Sequence, residues 1–292
     1  MKRIVSIILI LTMLVIIVAG CSQAEDKNTF MSLREEHKSE IIKRGPVPGK
    51  SKELNTPNGA SLITYESGEL KLKGWISENK EENIKKPAIV FVHGGFSLNE
   101  SYWDLMKPYM DAGYVVMTPM VRGEKGNDGN YELLYGEVDD IIAAGEYVSK
   151  LSYVDEKNIY LVGHSLGGAT SILASMMPSK YKSVITFGAA PLDIKGELDA
   201  NEQLKNIIPF NMDNEIEFSL RTPIKYADSV QKPLYMFVES NSHIPNLKEL
   251  TESFSKEVNE KGGKSEIHIV EGNHLSAIEG AVKKSIDIIN GN

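Results

Sequence analysis

Apolar runs alternate with amphipathic segments over most of the chain. Two early runs alternate apolar and polar side chains, which predicts two β-strands joined by a turn at residues 67–69. The later runs are mostly apolar, as is typical of buried parallel strands. The predicted strands are residues 61–66, 70–76, 87–92, 114–119, 159–162, 184–187, 233–238 and 266–270.

Segments with a helical period follow several of these strands. The predicted helices are residues 102–112, 136–151, 169–177, 245–261 and a final helix that ends near residue 289. The rhythm is lost at about residues 192–228, which we interpret as a small helical cap inserted over the site. Alternating strands and helices predict an α/β fold with a mostly parallel central sheet of about eight strands and helices on both faces.

The clearest chemical motif is a Gly-x-Ser-x-Gly at residues 163–167. An apolar strand precedes it and a helix follows, as in the strand-turn-helix of a nucleophile elbow. Gly163 and Gly167 are expected because a side chain there would collide with the neighbouring strand or helix. The motif predicts Ser165 as a nucleophile at a helix N-terminus, where negative charge is stabilised. The alternative is a buried turn in which Ser165 only caps the helix.

A second glycine-rich turn follows the predicted strand at residues 87–92. Its backbone amides are expected to point into the site, with Gly95 as the first choice of donor to an oxyanion and Phe96 as the next. Leu166 follows the nucleophile and supplies the second donor. Without the elbow this stretch would be an ordinary turn. His93 is interpreted as a structural histidine that braces the turn.

The general base is expected near the end of the chain. His274 follows the last predicted parallel strand, so it lies at the carboxyl edge of the sheet, where open α/β folds bind ligands. The order of Ser165 before His274 is that of a hydrolase triad. His268 within the strand and His243 in a loop are poorer candidates.

These residues together resemble an α/β-hydrolase, in particular the catalytic domain of the prolyl oligopeptidase family. The resemblance runs from about residue 61 to the C-terminus. It implies a serine hydrolase with a Ser-His-acid triad. The motifs that carry it are Val92-His93-Gly94-Gly95, Val121-Arg122-Gly123, residues 136–155, residues 163–168 and Thr222-Pro223-Ile224 before Lys232-Pro233.

The triad acid departs from the family pattern. The resemblance places an Asp at the position of Asn241 or Ser242, and neither residue can stabilise an imidazolium well. Glu239, at the end of the preceding strand, is the first candidate acid. Asp193, at the end of the strand before that, is the alternative. A degraded triad, or an acid from another part of the chain, is a third.

The N-terminus has the pattern of an exported lipoprotein. Residues 1–20 combine two basic residues, an apolar run over residues 4–18 and small residues before Cys21, the only cysteine. We expect a signal peptide at residues 1–20, lipid attachment at Cys21, and a tether over residues 21–59 that includes one short charged helix at residues 30–43 packed on the domain. The hydrolase domain is expected over residues 60–292. An uncleaved anchor helix is the alternative. Both place the domain outside the cytoplasm, held to the bacterial membrane.

Charge and composition narrow the partners. The formal net charge is −8, and no basic block tracks a phosphate backbone, so we expect no nucleic acid partner. The mechanism needs no cofactor and no metal. The expected function is hydrolysis of a small ester or a short peptide through an acyl-enzyme. The alternatives are a prolyl oligopeptidase-like peptidase proper and a binding lipoprotein that keeps the fold without turnover.

Overall fold

The computed structural model describes residues 29–49, 55–79, 81 and 84–291. The predicted signal peptide and Cys21 lie outside these ranges. Within them, every helix is too short or too polar to cross a lipid bilayer.

All eight predicted strands are present and belong to one sheet, in the spatial order first, second, fourth, third, fifth, sixth, seventh, eighth. The first two pair antiparallel, the second is antiparallel to the fourth, and the remaining pairs are parallel. The strands are β1 Ala60–Ser67, β2 Leu70–Ser77, β3 Lys86–Val92, β4 Val115–Pro119, β5 Val154–His164, β6 Ser183–Phe187, β7 Leu234–Glu239 and β8 Ser265–Val270.

Helices cover both faces of the sheet. They are α1 Phe30–Glu36, α2 Glu100–Leu105, α3 Lys107–Asp111, α4 Gly136–Ser149, α5 Leu166–Ser175, α6 Ile194–Ala200, α7 Glu215–Ser219, α8 Leu247–Glu260 and α9 Ala277–Gly291. Two 3₁₀ segments, Glu202–Ile207 and Pro223–Ser229, lie on either side of α7.

The core is divided by the sheet into two apolar layers. Ile141 of α4 and Ile172 of α5 are fully buried in one layer. Trp103 of α2 and Val282 of α9 are buried in the other. This arrangement confirms the predicted α/β-hydrolase architecture, with a mostly parallel eight-stranded sheet and helices on both faces.

The helix predicted at residues 102–112 is two short helices. The first ends at Leu105. Met106 is its C-cap and also the N-cap of the second helix, and Pro108 lies in the first turn of the second helix. Proline has no amide hydrogen for the preceding turn and is tolerated only at the start of a helix, so the chain begins a new helix there. The break turns both Trp103 and Tyr109 toward the core.

Residues 29–49, which we call the strap, pack on the domain. Helix α1 is shorter than the predicted 30–43 because the chain becomes extended at His37. Phe30 is fully buried, with its ring centroid 5.3 Å from that of Tyr226. At the other end of the strap, Val47 is buried and its amide donates to the Gly123 carbonyl at 3.1 Å. The tether expected from the polar composition is therefore folded onto the domain over this range.

The strap also holds the segment predicted as a cap. Amides of Ile42 and Lys43 donate to the Pro209 carbonyl at 2.8 and 2.9 Å. The buried guanidinium of Arg221 binds the Glu217 carboxylate at 2.6 Å and the Ser39 hydroxyl at 2.7 Å. Because a buried charge is stable only when it is paired, this contact ties the strap to the region around α7.

Candidate active site

Ser165 lies between β5 and α5 in a strained backbone conformation. Its φ is 54° and its ψ is −120°, in a region that L-residues with side chains rarely adopt. A Cβ on Gly163 would lie 2.3 Å from the Gly167 carbonyl oxygen, and one on Gly167 would lie 2.4 Å from the Val92 carbonyl oxygen. Only glycine fits at these two positions, as the motif predicted. The turn presents Ser165 at the N-terminus of α5.

A cleft with a volume of about 240 Å³ opens beside Ser165. The two predicted oxyanion donors, Gly95 and Leu166, line the same cleft. Gly95 has a φ of 67°, in the left-handed region that favours glycine. The other side chains that line the cleft are mostly apolar, and many come from the predicted cap. They are Phe96, Leu133, Ala190, Pro191, Ile194, Glu197, Leu198, Leu204, Ile207, Ile208 and Ile244.

His274 lies next to the elbow and is held by Glu239. The His274 Nδ1 is 2.9 Å from Glu239 Oε1, and the carboxyl group is almost fully buried at the end of β7. Burial by itself raises the pKa of Glu239, but hydrogen bonds from His274, from a backbone amide and from Ser242 lower it to about 2. Glu239 is thus ionised at neutral pH, so His274 Nδ1 carries the hydrogen of this bond.

Ser242 contributes to the carboxylate although it is one of the two positions at which the family pattern places the acid. Its hydroxyl donates to Glu239 Oε1 at 2.8 Å and accepts from the Ile244 amide at 3.1 Å. The serine therefore fixes the position of the carboxylate from the loop.

The structure places Asp193 in a different role. Its carboxylate caps α6 and accepts a hydrogen bond from the Lys195 amide at 3.2 Å. The His274 Nδ1 that a triad acid must reach is bound to Glu239 instead.

His93 is buried and braces the glycine turn, in agreement with its interpretation as a structural residue. Its Nε2 is 3.0 Å from Glu124 Oε2, which also accepts from the Val121 amide at 3.0 Å. The other Glu124 oxygen accepts from the Leu98 amide. Burial lowers the pKa of His93, but the Glu124 charge, the hydrogen bond to Glu124 and a backbone hydrogen bond at Gly94 together outweigh burial, so that the pKa is raised. Glu124 therefore binds the glycine turn at both of its ends, at His93 and at Leu98.

Two further polar residues at the site, His164 and Tyr102, were not predicted from the sequence to act there. His164 Nε2 is 3.0 Å from the His274 carbonyl oxygen, and His164 Nδ1 is 2.8 Å from the Tyr102 hydroxyl. The available signal was a polar residue at the last position of an otherwise apolar strand, directly before the nucleophile. His243 is also close, with its ring centroid 5.5 Å from that of His274.

In the part of the chain that the structure describes, no group of three or more His, Cys, Asp or Glu residues has the geometry to hold a metal ion.

Known proteins share this sequence pattern. The model of the prolyl oligopeptidase family matches residues 100–283, which is more than half of the chain. The uncharacterized peptidase YtmA of Bacillus subtilis (strain 168) is 24% identical over 202 residues, covering 66% of this chain and 75% of the relative. The prolyl endopeptidase of Elizabethkingia meningoseptica is 33% identical over 141 residues, covering 46% of this chain and 18% of the relative.

Solved structures share the fold. The dipeptidyl peptidase 4 of Porphyromonas gingivalis aligns with a TM-score of 0.67 and 19% identity, over 80% of this chain and 35% of that one. An esterase from Thermogutta terrifontis aligns with a TM-score of 0.64 and 18% identity, over 80% of this chain and 94% of that one. The chain thus spans about a third of the length of the solved peptidase and nearly the whole esterase.

The low pKa of Glu239 predicts an acid-dependent loss of stability. A carboxyl group whose folded-state pKa lies below its usual 4.5 stabilises the fold above pH 4.5, and this contribution is lost as the pH falls toward 2. Thermal unfolding of wild type and of Glu239→Gln between pH 2 and pH 7 measures it. We expect the wild type to lose more stability over this range than Glu239→Gln. The same pH dependence in both proteins would contradict the assignment of the low pKa to Glu239.

Proposed function

This chain belongs to the prolyl oligopeptidase family of serine hydrolases, and we propose that it cleaves small esters or short peptide bonds through Ser165, His274 and Glu239. The observation that carries the proposal is the bond of 2.9 Å between His274 Nδ1 and the ionised Glu239 carboxylate, beside a strained nucleophile turn. An acid, a histidine and a serine in this relation are the parts of an acyl-transfer site.

The proposed reaction has two stages. The Ser165 hydroxyl attacks the substrate carbonyl while His274 Nε2 accepts its proton, since Nδ1 already donates to Glu239. The tetrahedral oxyanion is stabilised by the amides of Gly95 and Leu166 and by the positive end of α5. Collapse of the intermediate breaks the bond to the alcohol or amine, which leaves with the proton from His274. Water then attacks the acyl-enzyme by the same route and releases the acid.

Glu239 suits the role of the acid for an electrostatic reason. When His274 accepts the proton it becomes a cation, and a carboxylate at hydrogen-bond distance stabilises that cation. The carboxylate is available over the physiological pH range because its pKa is about 2. The absence of an Asp at residues 241–242 was the only reason to consider a binding protein without turnover. Glu239 removes that reason, because it supplies a carboxylate from a neighbouring position, and it thus supports the enzyme hypothesis.

The mostly apolar lining of the cleft supports a substrate that carries an apolar group. Burial of apolar surface contributes about 0.8 kcal/mol for each methylene group. Esters with a medium acyl chain and peptides with an apolar side chain at the cleaved position both meet this requirement. The sequence similarity to peptidases supports a peptide as the substrate. The structural match to nearly the whole esterase supports an ester as the substrate.

The triad assignment is tested with p-nitrophenyl butyrate and a peptide-nitroanilide series on the protein from residue 22 onward. We expect kcat/KM to fall about 10⁶-fold in Ser165→Ala and His274→Ala and about 10⁴-fold in Glu239→Gln. Asp193→Asn is the matched control, since asparagine also caps helices well, and it should stay near wild type.

Two results would count against these assignments. Loss of activity in Asp193→Asn with retention in Glu239→Gln would show that Asp193 is the acid. Equal turnover of every substrate by wild type and Ser165→Ala would refute Ser165 as the nucleophile.

The substrate class is tested with p-nitrophenyl esters from acetate to octanoate. We expect kcat/KM to rise about fourfold with each added methylene until the cleft is filled. Leu204→Trp places a large ring in the cleft and should reduce turnover of the long esters but not of acetate. Met212→Trp, at an exposed position of the same segment, is the control. A flat response to chain length would contradict binding of the acyl chain in this cleft.

The signal pattern at residues 1–20 leads us to propose lipid attachment at Cys21 and a location outside the cytoplasm, with the hydrolase held to the membrane. Metabolic labelling with a palmitate analogue in a bacterial host tests this. The full chain should incorporate the label and Cys21→Ser should not. An unlabelled full chain would favour the uncleaved anchor helix.

A further inference from the structure

The proposed mechanism leaves two buried polar side chains at the site without a role. His164 is the residue before the nucleophile and is 2% exposed, and Tyr102 on α2 is 6% exposed. The hydroxyl of Tyr102 meets His164 Nδ1 at 2.8 Å. The other ring nitrogen of His164 meets the His274 carbonyl oxygen at 3.0 Å. A polar side chain that reaches the backbone of the proposed base is well placed to orient it.

The direction of each hydrogen bond follows from the chemistry of the partners. A carbonyl oxygen only accepts, so His164 Nε2 carries a hydrogen and donates to His274. In a neutral imidazole the other nitrogen is then an acceptor, and the Tyr102 hydroxyl donates to it. Burial raises the pKa of Tyr102 to about 12, so its hydroxyl keeps the hydrogen that it donates to His164.

His164 is neutral and is not itself positioned as the base. Burial, and then the neighbouring His274, lower the pKa of His164 to about 4. Its ring centroid is 4.6 Å from that of His274, so two charged imidazoles would repel each other. Both of its nitrogens are engaged, whereas a base needs one nitrogen free for the serine proton.

The hydrogen-bonded side chains of Tyr102 and His164 also contact the glycine turn after β3. A Cβ on Gly94 would lie 2.5 Å from His164 Nδ1, 2.6 Å from the Tyr102 hydroxyl and 3.0 Å from Ser165 Cβ. The backbone of the turn therefore lies directly against both side chains. Tyr102 and His164 connect the turn that supplies the oxyanion donor to the loop that carries His274.

We propose that His164 is a positioning residue, which holds the backbone of His274 so that its imidazole keeps the geometry for proton transfer, with Tyr102 fixing the orientation of the His164 ring. Glu239 holds the His274 side chain from one side, and His164 holds its main chain from another. The inference rests on the proposed function of Ser165, His274 and Glu239. It adds that the residue preceding the nucleophile determines the rate and not the affinity for the substrate.

Three variants separate orientation from packing. His164→Phe keeps an aromatic ring but removes both nitrogens, and Tyr102→Phe removes only the hydroxyl. His164→Gln provides an amide that can donate to the His274 carbonyl, so it is the conservative rescue. Tyr109→Phe is the matched control, because it removes a buried hydroxyl that pairs with Ser285 instead.

The measurements are kcat and KM for p-nitrophenyl butyrate, with the number of competent sites counted by the endpoint of fluorophosphonate labelling. We expect His164→Phe to keep a full endpoint and a nearly unchanged KM while kcat falls about 10²-fold, as for a small displacement of a catalytic group. Tyr102→Phe should show a smaller loss of kcat, His164→Gln should recover most of it, and Tyr109→Phe should match wild type.

Other outcomes would overturn the inference. A reduced endpoint with a normal kcat per labelled site would mean that His164 only supports folding. The same kcat in His164→Phe and Tyr109→Phe, or no recovery in His164→Gln, would also refute positioning. Failure of the proposed function is distinct, because wild type itself would then be inactive or Ser165→Ala would remain active.

Discussion

The backbone of helix α5 lies directly against the ends of β3 and β5. Gly163 and Gly167 allow it, because a Cβ at either position would lie within 2.4 Å of a backbone carbonyl oxygen. Ser165 is held between them with a φ of 54°. Packing of both sheet faces keeps the strained turn in place, since strain of this kind persists only where the surroundings over-determine the conformation. The glycine turn, the cleft and the proposed base are all arranged around this residue.

The proposed acid, Glu239, illustrates how a sheet edge tolerates a change in the position of a carboxylate. The family pattern suggests an acid in the loop after β7, and this chain has Glu239 at the last position of that strand. The carboxylate lies 2.9 Å from His274 Nδ1, and a loop serine holds it from the other side. Hydrogen bonds from these neighbours outweigh the cost of burial and keep the group ionised. The chemistry requires a carboxylate at one point in space, which more than one chain position can supply.

Much of the fold was predictable because apolar periodicity reports directly on strands and helices. All eight strands were expected from their pattern, and Ser165 and His274 were placed at the sheet edge by their order after strands. Glu239 was preferred to Asp193 as the acid, but the sequence could not decide between them, because both are near strand ends and only tertiary packing determines which carboxylate meets the histidine. The strap was interpreted as a tether with one packed helix, and the buried contacts of Phe30 and Val47 were not foreseen because the segment is rich in polar residues. His164 was overlooked because nothing local shows that its partners are Tyr102 and a carbonyl far along the chain.

A crystal structure of the protein after reaction with a fluorophosphonate would test the proposed triad of Ser165, His274 and Glu239 directly. We predict a covalent bond from Ser165 Oγ to phosphorus and a phosphonyl oxygen at hydrogen-bond distance from the amides of Gly95 and Leu166. His274 Nδ1 should remain bonded to Glu239. A phosphonate attached to another residue, or His274 bonded to Asp193, would contradict the proposed triad.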